Sequence, residues 1–175
     1  MKIVLVTGRK GSGKTEMLKY LQNKFKTIEM SKYVYVEMDK AGIQDKSYTN
    51  VGIFSKQLRE RFGNDIVAKL VWDDIKDYEG IIFIFGVRSP EEIEFFKKKA
   101  KVLVVKIDSN DENRFKRILT RNREGDPVTY QEFLKKERLE DLLGLNQIME
   151  DIIISNDKDI KEFYSKIDNL INFLK

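Results

Sequence analysis

The sequence contains neither cysteine nor histidine, and only two of its 175 residues are proline. The lack of cysteine excludes disulfides and thiol chemistry. The lack of histidine removes the most common general base and the most common transition-metal ligand. Any proton transfer at a catalytic site must therefore use aspartate, glutamate or lysine.

Long hydrophobic runs are also missing. No apolar stretch approaches the roughly 20 residues of a membrane-spanning helix, and the short apolar run after Lys2 is not typical of a signal peptide. With 41% hydrophobic residues, the chain is expected to form one soluble, cytoplasmic domain over residues 1–175. The net charge of +4 favours anionic ligands such as nucleotides. The lysine runs are short and interleaved with acids, so they do not favour nucleic-acid binding.

The most specific motif lies at residues 8–15, which read Gly-Arg-Lys-Gly-Ser-Gly-Lys-Thr and match the Walker A pattern G-x-x-x-x-G-K-[ST]. An apolar run at 2–6 precedes it and predicts a buried strand. An amphipathic run at 16–25 follows it and predicts a helix. Because a phosphate-binding loop (P-loop) requires this strand–loop–helix order, the motif predicts nucleotide binding.

Each conserved position of the pattern has a physical role. The glycines let the backbone curl so that successive N–H groups converge on phosphate oxygens, at the positive end of the following helix. Lys14 can reach the β- and γ-phosphates, and the Thr15 hydroxyl can ligate Mg²⁺. We therefore predict ATP and Mg²⁺ as ligands. The predicted binding residues of the loop are Gly8, Gly11, Ser12, Gly13, Lys14 and Thr15.

Strand-like runs alternate with helical patterns along the chain, which favours parallel βαβ units. The predicted strands are 2–6, 33–36, 81–85, 102–107 and 152–154. The predicted helices are 16–25, 51–76 with a break at Gly63, those that begin at capping boxes from Ser89, Ser109 and Thr129, and 157–174. This order predicts a three-layer α/β/α sandwich around a five-stranded parallel sheet, with ligands at the carboxyl ends of the strands.

Two sets of arginines fall where phosphates would bind in such a fold. Arg88 comes shortly after the predicted strand 81–85, where a guanidinium suits bidentate phosphate contacts; the alternative is a surface arginine that opens a helix. Downstream, a second set precedes a turn at 124–127 and suggests a phosphate clamp on a lid of about residues 121–145; the alternative is a solvated basic face. This second set is Arg114, Arg117, Arg121 and Arg123.

The P-loop, the segment Gly86-Val87-Arg88, the arginine-rich lid and the segment 154–157 together resemble the nucleoside-monophosphate-kinase superfamily. More closely, the chain resembles an uncharacterised archaeal family related to adenylate and dephospho-coenzyme A kinases. The resemblance spans nearly the whole chain. It implies that Lys14 stabilises charge on the transferred phosphoryl group and that Arg88 grips the phosphate of the acceptor.

The same resemblance implies roles for residues near the nucleotide. Arg117 would pack on the adenine of the donor, and Asn156 would lie in the segment that lines the adenine pocket. Arg121 and Arg123 would close over the phosphates. Thr15 would hold Mg²⁺.

Two departures from the family pattern bear on activity. The family usually has aspartate before the glycine of the Gly-x-Arg segment, where this chain has Phe85; we expect weaker metal positioning and reduced turnover. The acceptor segment at 30–35 lacks the aspartate and arginine of the family, and Lys32 could replace the phosphate contact. Glu37 and Asp39 could carry acid–base or metal roles, or they could be solvated loop acids.

The sequence therefore supports three interpretations. The first is a kinase that transfers the γ-phosphoryl group of ATP to a nucleotide or another small phosphate- or hydroxyl-bearing acceptor. The second is a nucleotide-binding switch or degenerate kinase, and the third is a slow NTPase that acts with a partner such as RNA. The acceptor, the choice between ATP and GTP, and the choice between monomer and homodimer stay open.

Overall fold

The computed structural model describes residues 1–123, 125–142 and 144–175. It contains a five-stranded, all-parallel sheet with the strand order β2-β3-β1-β4-β5. The strands are β1 (Lys2–Thr7), β2 (Lys26–Glu29), β3 (Ile81–Phe85), β4 (Lys101–Asp108) and β5 (Ile152–Ser155). The helices are α1 (Lys14–Leu21), α2 (Met30–Lys40), α3 (Tyr48–Phe62), α4 (Ile66–Ile75), α5 (Pro90–Lys97), α6 (Asp111–Arg121), α7 (Tyr130–Leu142) and α8 (Ile160–Leu174), with a 3₁₀ turn at Leu145–Gln147.

The central strands are almost continuously apolar because helices cover both faces of the sheet. Along β1, Ile3 and Leu5 pack into a cluster with buried residues of α2, α4 and α5. Val4 and Val6 point the other way, into a cluster with α1 and α8. The predicted three-layer architecture and the five-stranded parallel sheet are therefore confirmed. Among the described residues, no helix has the length and apolarity that crossing a membrane requires.

The register of the sheet brings three loops to one edge. β1 lies between β3 and β4, with Val6 opposite Phe85 and Thr7 opposite Lys106. Because all strands are parallel, the segments that follow β1, β3 and β4 emerge side by side at the carboxyl edge. A ligand that binds at this edge would contact all three segments.

The second strand was predicted at the wrong place. It lies at Lys26–Glu29, and residues 33–36 belong to α2. The run Tyr-Val-Tyr-Val at 33–36 has strand-forming residue types, but Met30, Val34 and Met38 are buried at a spacing of four residues, so helical burial overrides the local preference. β2 is a short edge strand and therefore carries a weak alternating pattern.

This correction also moves the two acids that were expected to follow the strand. Glu37 and Asp39 lie in the second half of α2. Glu37 pairs with Lys40 at 2.6 Å, and Asp39 pairs with Lys46 at 2.5 Å. Both carboxylates are thus held in ion pairs with lysines on or beside their own helix.

The predicted break at Gly63 and two capping boxes are confirmed. Gly63 follows α3 with a φ of +99°, a conformation that favours glycine. Ser89 caps α5 by accepting a hydrogen bond from the Glu92 N–H at 3.3 Å. Before α7, the Glu132 N–H donates to the Thr129 hydroxyl at 3.2 Å, and the Thr129 N–H donates back to the Glu132 carboxylate at 3.4 Å.

The helix starts predicted at Ser109 and at 157 are shifted toward the C-terminus, whereas those predicted at 16 and 51 lie earlier, at Lys14 and Tyr48. α6 is capped by Asn110, which accepts from the Asn113 N–H at 2.9 Å, whereas the Ser109 hydroxyl donates to Asp157 at 2.8 Å. α8 begins at Ile160 instead of 157, behind an Asp159 cap. Ser109 makes a tertiary contact instead of capping a helix, and Asp157 lies in the loop before α8.

Candidate functional site

The loop between β1 and α1 has the backbone that its sequence predicts. Gly8, Gly11 and Gly13 have φ values of 140°, 78° and 117°. A Cβ atom on Gly8 would lie 2.4 Å from the carbonyl oxygen of Ile107, and one on Gly13 would lie 2.2 Å from Nδ2 of Asn156. Both positions therefore require glycine for its dihedral angles and for the close approach of neighbouring groups.

This loop presents unsatisfied hydrogen-bond donors. In the described part of the chain, the backbone N–H groups of Gly11, Gly13, Lys14 and Thr15 have no protein acceptor. The hydroxyl of Ser12, which is 1% exposed, also lacks a partner within the described ranges. Unpaired N–H groups at the positive end of a helix form a binding site for an anion such as phosphate.

Lys14 lies folded back onto the loop. Its ammonium group donates to the carbonyl oxygens of Gly8 at 2.5 Å and Arg9 at 2.8 Å. Burial, followed by the positive charge of Arg88, lowers the pKa of Lys14 to about 7, and the nearby carboxylate of Glu140 opposes this change. The ammonium is therefore only partly protonated at neutral pH until an anion binds beside it.

This shift in pKa predicts that ATP affinity depends on pH. The phosphates of ATP favour the charged form of Lys14 and raise its pKa in the complex, so binding above pH 7 must take up a proton. We expect affinity to be nearly constant below pH 7 and to weaken by up to about tenfold per pH unit above it. Calorimetry at pH 8 in buffers of different ionisation enthalpy should detect close to one proton taken up.

Two variants test whether the proton is taken up by Lys14. Lys14→Ala should remove the uptake, whereas Lys19→Ala, a change at an exposed position of the same helix, should retain it. Proton release on binding, or uptake that survives Lys14→Ala, would contradict the role given to Lys14.

The Gly86–Arg88 segment is tied to β1 and to α7. The Thr7 hydroxyl donates to the carbonyl oxygen of Val87 at 3.2 Å. The Arg88 N–H donates to the carboxylate of Glu92 at 2.8 Å, and the Arg88 guanidinium lies 3.2 Å from the carboxylate of Glu140. Arg88 therefore stands at the carboxyl edge of the sheet, beside the loop; its role as a phosphate contact stays a prediction.

Phe85, which replaces the expected aspartate, is the last residue of β3 and is 4% exposed. It packs in the apolar cluster that includes Val6 and Met17. The described residues contain no group of three or more acidic side chains that could hold a metal ion. The Thr15 hydroxyl as a Mg²⁺ ligand stays a prediction; a hydroxyl with phosphate oxygens and water would be an all-oxygen donor set, which suits this ion.

Among the described residues, Arg114 is the largest fully buried side chain, with 1% exposure. Its guanidinium donates to the carbonyl oxygen of Lys10 at 3.0 Å and pairs with Asp111 at 2.7 Å and Glu137 at 2.6 Å. It therefore joins the P-loop, α6 and α7 from inside the protein. The sequence grouped this arginine with the candidate phosphate clamp, but the structure places it in an internal network.

Arg117 and Asn156 hold the other side of the loop. The Arg117 guanidinium donates to the carbonyl oxygens of Gly11 at 3.2 Å and Asn156 at 2.6 Å. The Asn156 amide donates to the carbonyl oxygen of Ser12 at 2.8 Å. Both residues thus lie beside the loop, and their predicted contacts with adenine stay predictions.

Arg121 and Arg123 lie at the end of α6 and just after it. Two nitrogens of Arg121 contact the carboxylate of Asp126 at 2.8 and 3.0 Å, and Lys10 contacts the same carboxylate at 2.6 Å. Burial opposes ionisation of Asp126, but these two cations hold its pKa at about 2. Arg123 is exposed, and Glu124 of the predicted turn lies outside the described residues.

Helix α7 contributes an acidic face that the sequence analysis missed. Glu137 pairs with Arg9 at 2.9 Å, Asp141 also pairs with Arg9, and Glu140 pairs with Arg88. These three acids are spaced at i, i+3 and i+4, so they share one side of the helix. That spacing was the only signal in the sequence, and it could not reveal which surface the acids would contact.

The fold is shared with solved structures that include shikimate kinases. The chain superimposes with a TM-score of 0.70 and 13% identity on the protein TT1252 from Thermus thermophilus, over 99% of this chain and 97% of that one. With shikimate kinase from Bacteroides thetaiotaomicron the TM-score is 0.59 and the identity 15%, over 98% and 97% of the two chains. With the Acinetobacter baumannii shikimate kinase in complex with shikimate, these values are 0.56 and 19%, over 99% and 95%.

No family model matches the chain, but several curated proteins do. It is 36% identical to a UPF0200 protein of Sulfurisphaera tokodaii, over 98% of this chain and 96% of the relative. It is 32% identical to UPF0200 proteins of Staphylothermus marinus, over 98% and 92% of the two chains, and of Pyrococcus horikoshii, over 97% and 96%. With this identity along nearly its whole length, the chain belongs to the archaeal UPF0200 family.

Proposed function

We propose that this protein is a kinase that transfers the γ-phosphoryl group of ATP to a small-molecule acceptor. The observation that carries the proposal is the P-loop, whose unpaired N–H groups lie beside Lys14 and Arg88 at one edge of the sheet. Phosphoryl transfer depends mainly on positioning and on charge stabilisation. The N–H groups would position the phosphates, and the two cations would stabilise their charge. The fold shared with shikimate kinases supports the same reaction class.

In this proposal each cation has a separate task. Lys14 leaves the loop carbonyls and stabilises charge on the transferred group, and Arg88 faces the acceptor. The Thr15 hydroxyl would ligate Mg²⁺, which supplies charge neutralisation when bound. Arg121 and Arg123 would approach the phosphates when the lid rearranges.

The nucleotide base would bind on the opposite side of the loop. Arg117 and Asn156 border that side, and both are fixed there by contacts with loop carbonyls. A guanidinium plane can stack on a purine ring. We therefore place the adenine beside the start of α6 and the segment after β5.

A nucleotide-binding switch without transfer is the second candidate function. It is favoured by the ion pairs that hold Arg88 to Glu140 and Arg121 to Asp126, because these pairs occupy cations that transfer would use. The buried Phe85 in place of a carboxylate also favours it. Such a protein would report nucleotide binding through the position of α7.

The deciding experiment measures ADP release from Mg·ATP with and without a panel of acceptors. The panel contains AMP, CMP, UMP, dephospho-coenzyme A, shikimate and free nucleosides. Stimulation by at least one acceptor supports the kinase. Clear ATP binding without ADP release supports the switch, and ADP release that is the same with and without every acceptor indicates an NTPase.

A further inference from the structure

Glu140 occupies an unusual place for a carboxylate. It is 5% exposed and reaches from α7 to within 3.2 Å of the Arg88 guanidinium. It also lies close enough to Lys14 to raise the pKa of that ammonium group. The carboxylate is therefore in contact with one, and near the other, of the two cations that the proposed reaction assigns to phosphoryl transfer.

A negative charge at this point discriminates between two classes of acceptor. A phosphate acceptor arrives already ionised, so a buried carboxylate beside its binding cation would repel it. A hydroxyl acceptor arrives neutral and must lose its proton during transfer, which a nearby carboxylate can accept. The location of Glu140 therefore favours an alcohol over a phosphate.

Several other carboxylates near this edge pair with cations that the proposed reaction does not use. Glu137 and Asp141 pair with Arg9. Glu92, with 0% exposure, accepts from the Arg88 backbone and pairs with Arg59 at 2.9 Å. The chain has no histidine or cysteine, so the general base must be an aspartate, a glutamate or a lysine. Among the carboxylates named here, Glu140 is the one that contacts the Arg88 guanidinium.

We infer that Glu140 is the general base of the proposed kinase and that the acceptor is a hydroxyl-bearing small molecule. The inference rests on the proposed function. As the acceptor oxygen attacks the γ-phosphorus of ATP, Glu140 takes the hydroxyl proton. The bond from the γ-phosphorus to the bridging oxygen breaks, its electron pair leaves on ADP, and the product is a phosphate monoester.

The test compares Glu140→Gln and Glu140→Asp with the wild-type protein. The matched control is Glu79→Gln, an exposed carboxylate just before β3, at the opposite edge of the sheet. We expect Glu140→Gln to lower kcat for the stimulating alcohol by about 10²–10⁴-fold. ATP affinity should stay within about threefold, Glu140→Asp should restore part of the rate, and Glu79→Gln should behave as wild type.

Two further readouts separate a base from a merely structural residue. The acidic limb of the wild-type kcat–pH profile should vanish in Glu140→Gln, and circular dichroism should show an unchanged fold. ³¹P NMR of the wild-type product should show a phosphate monoester. A phosphoanhydride product, formed from AMP, CMP or UMP, would overturn the inference while leaving the kinase proposal intact.

Three other results would contradict the inference. If Glu140→Gln binds ATP more tightly and transfers at the wild-type rate, Glu140 only covers the site, and the inference fails. An unchanged pH profile with a uniform loss of ATP binding would also overturn it. If the wild-type protein releases no additional ADP with any acceptor, the proposed function fails and the inference fails with it.

Discussion

Replacing Lys14 with alanine is expected to reduce ATP-dependent phosphoryl transfer by at least about 10²–10³-fold, the usual effect of removing a charge that stabilises a transition state. The ammonium group lies in the loop, on the carbonyl oxygens of Gly8 and Arg9. In the proposed reaction, it moves from there to meet the transferred group. Alanine removes both the charge and the reach of the side chain.

The measurement is ADP release from Mg·ATP with the best acceptor, together with ATP affinity from calorimetry. Lys19→Ala is the control because it removes a lysine from an exposed position of the same helix. If Lys14→Ala retains wild-type affinity and turnover, residues 8–15 are not the nucleotide site, and the function proposed above fails at its first step.

Replacing Arg114 with methionine is expected to lower the free energy of unfolding by about 3–5 kcal/mol, as is typical when one partner of a buried ion pair is removed. The change leaves Glu137, whose side chain is 12% exposed, without its Arg114 partner. It also removes the donor to the carbonyl oxygen of Lys10. Methionine fills much of the same volume, so the loss should come mainly from the polar contacts.

Urea denaturation followed by circular dichroism would measure this loss. Arg138→Met, at an exposed position of α7, should stay within about 0.5 kcal/mol of wild type. The double variant Arg114→Met/Glu137→Gln should recover part of the stability, because it removes the buried charge that the single variant leaves behind. Unchanged stability combined with lost ATP affinity would instead identify Arg114 as a phosphate ligand.

Much of the fold could be predicted because its determinants are local. The P-loop follows from glycine positions that demand unusual dihedral angles, and the parallel sheet follows from alternating apolar runs and helical patterns. The second strand was misplaced because the run at 33–36 has the residue types of a strand. Only the burial of Met30, Val34 and Met38 against other helices shows that this stretch is helical.

The candidate site could be predicted only in part. The location of Lys14 and Arg88 at the carboxyl edge could be predicted because each belongs to the segment that follows a strand, and their roles stay predictions. The partners of the arginines could not be predicted, since Arg88 meets a carboxylate 52 residues away and Arg9 meets one 128 residues away. No pattern in the sequence encodes such distances.

The sequence by itself determined that this chain carries a Walker A motif on a parallel α/β sheet, because those features depend on the residues of single short segments. Only the tertiary structure decided that α7 lays its acidic face against the loop, that Arg114 is an internal tie, and that Glu140 stands beside Arg88 and Lys14. The physical reason is that charge and burial act through space. An arginine or a glutamate can be a solvated side chain, a partner in a buried ion pair or a candidate base, depending on which residues lie next to it in the folded chain.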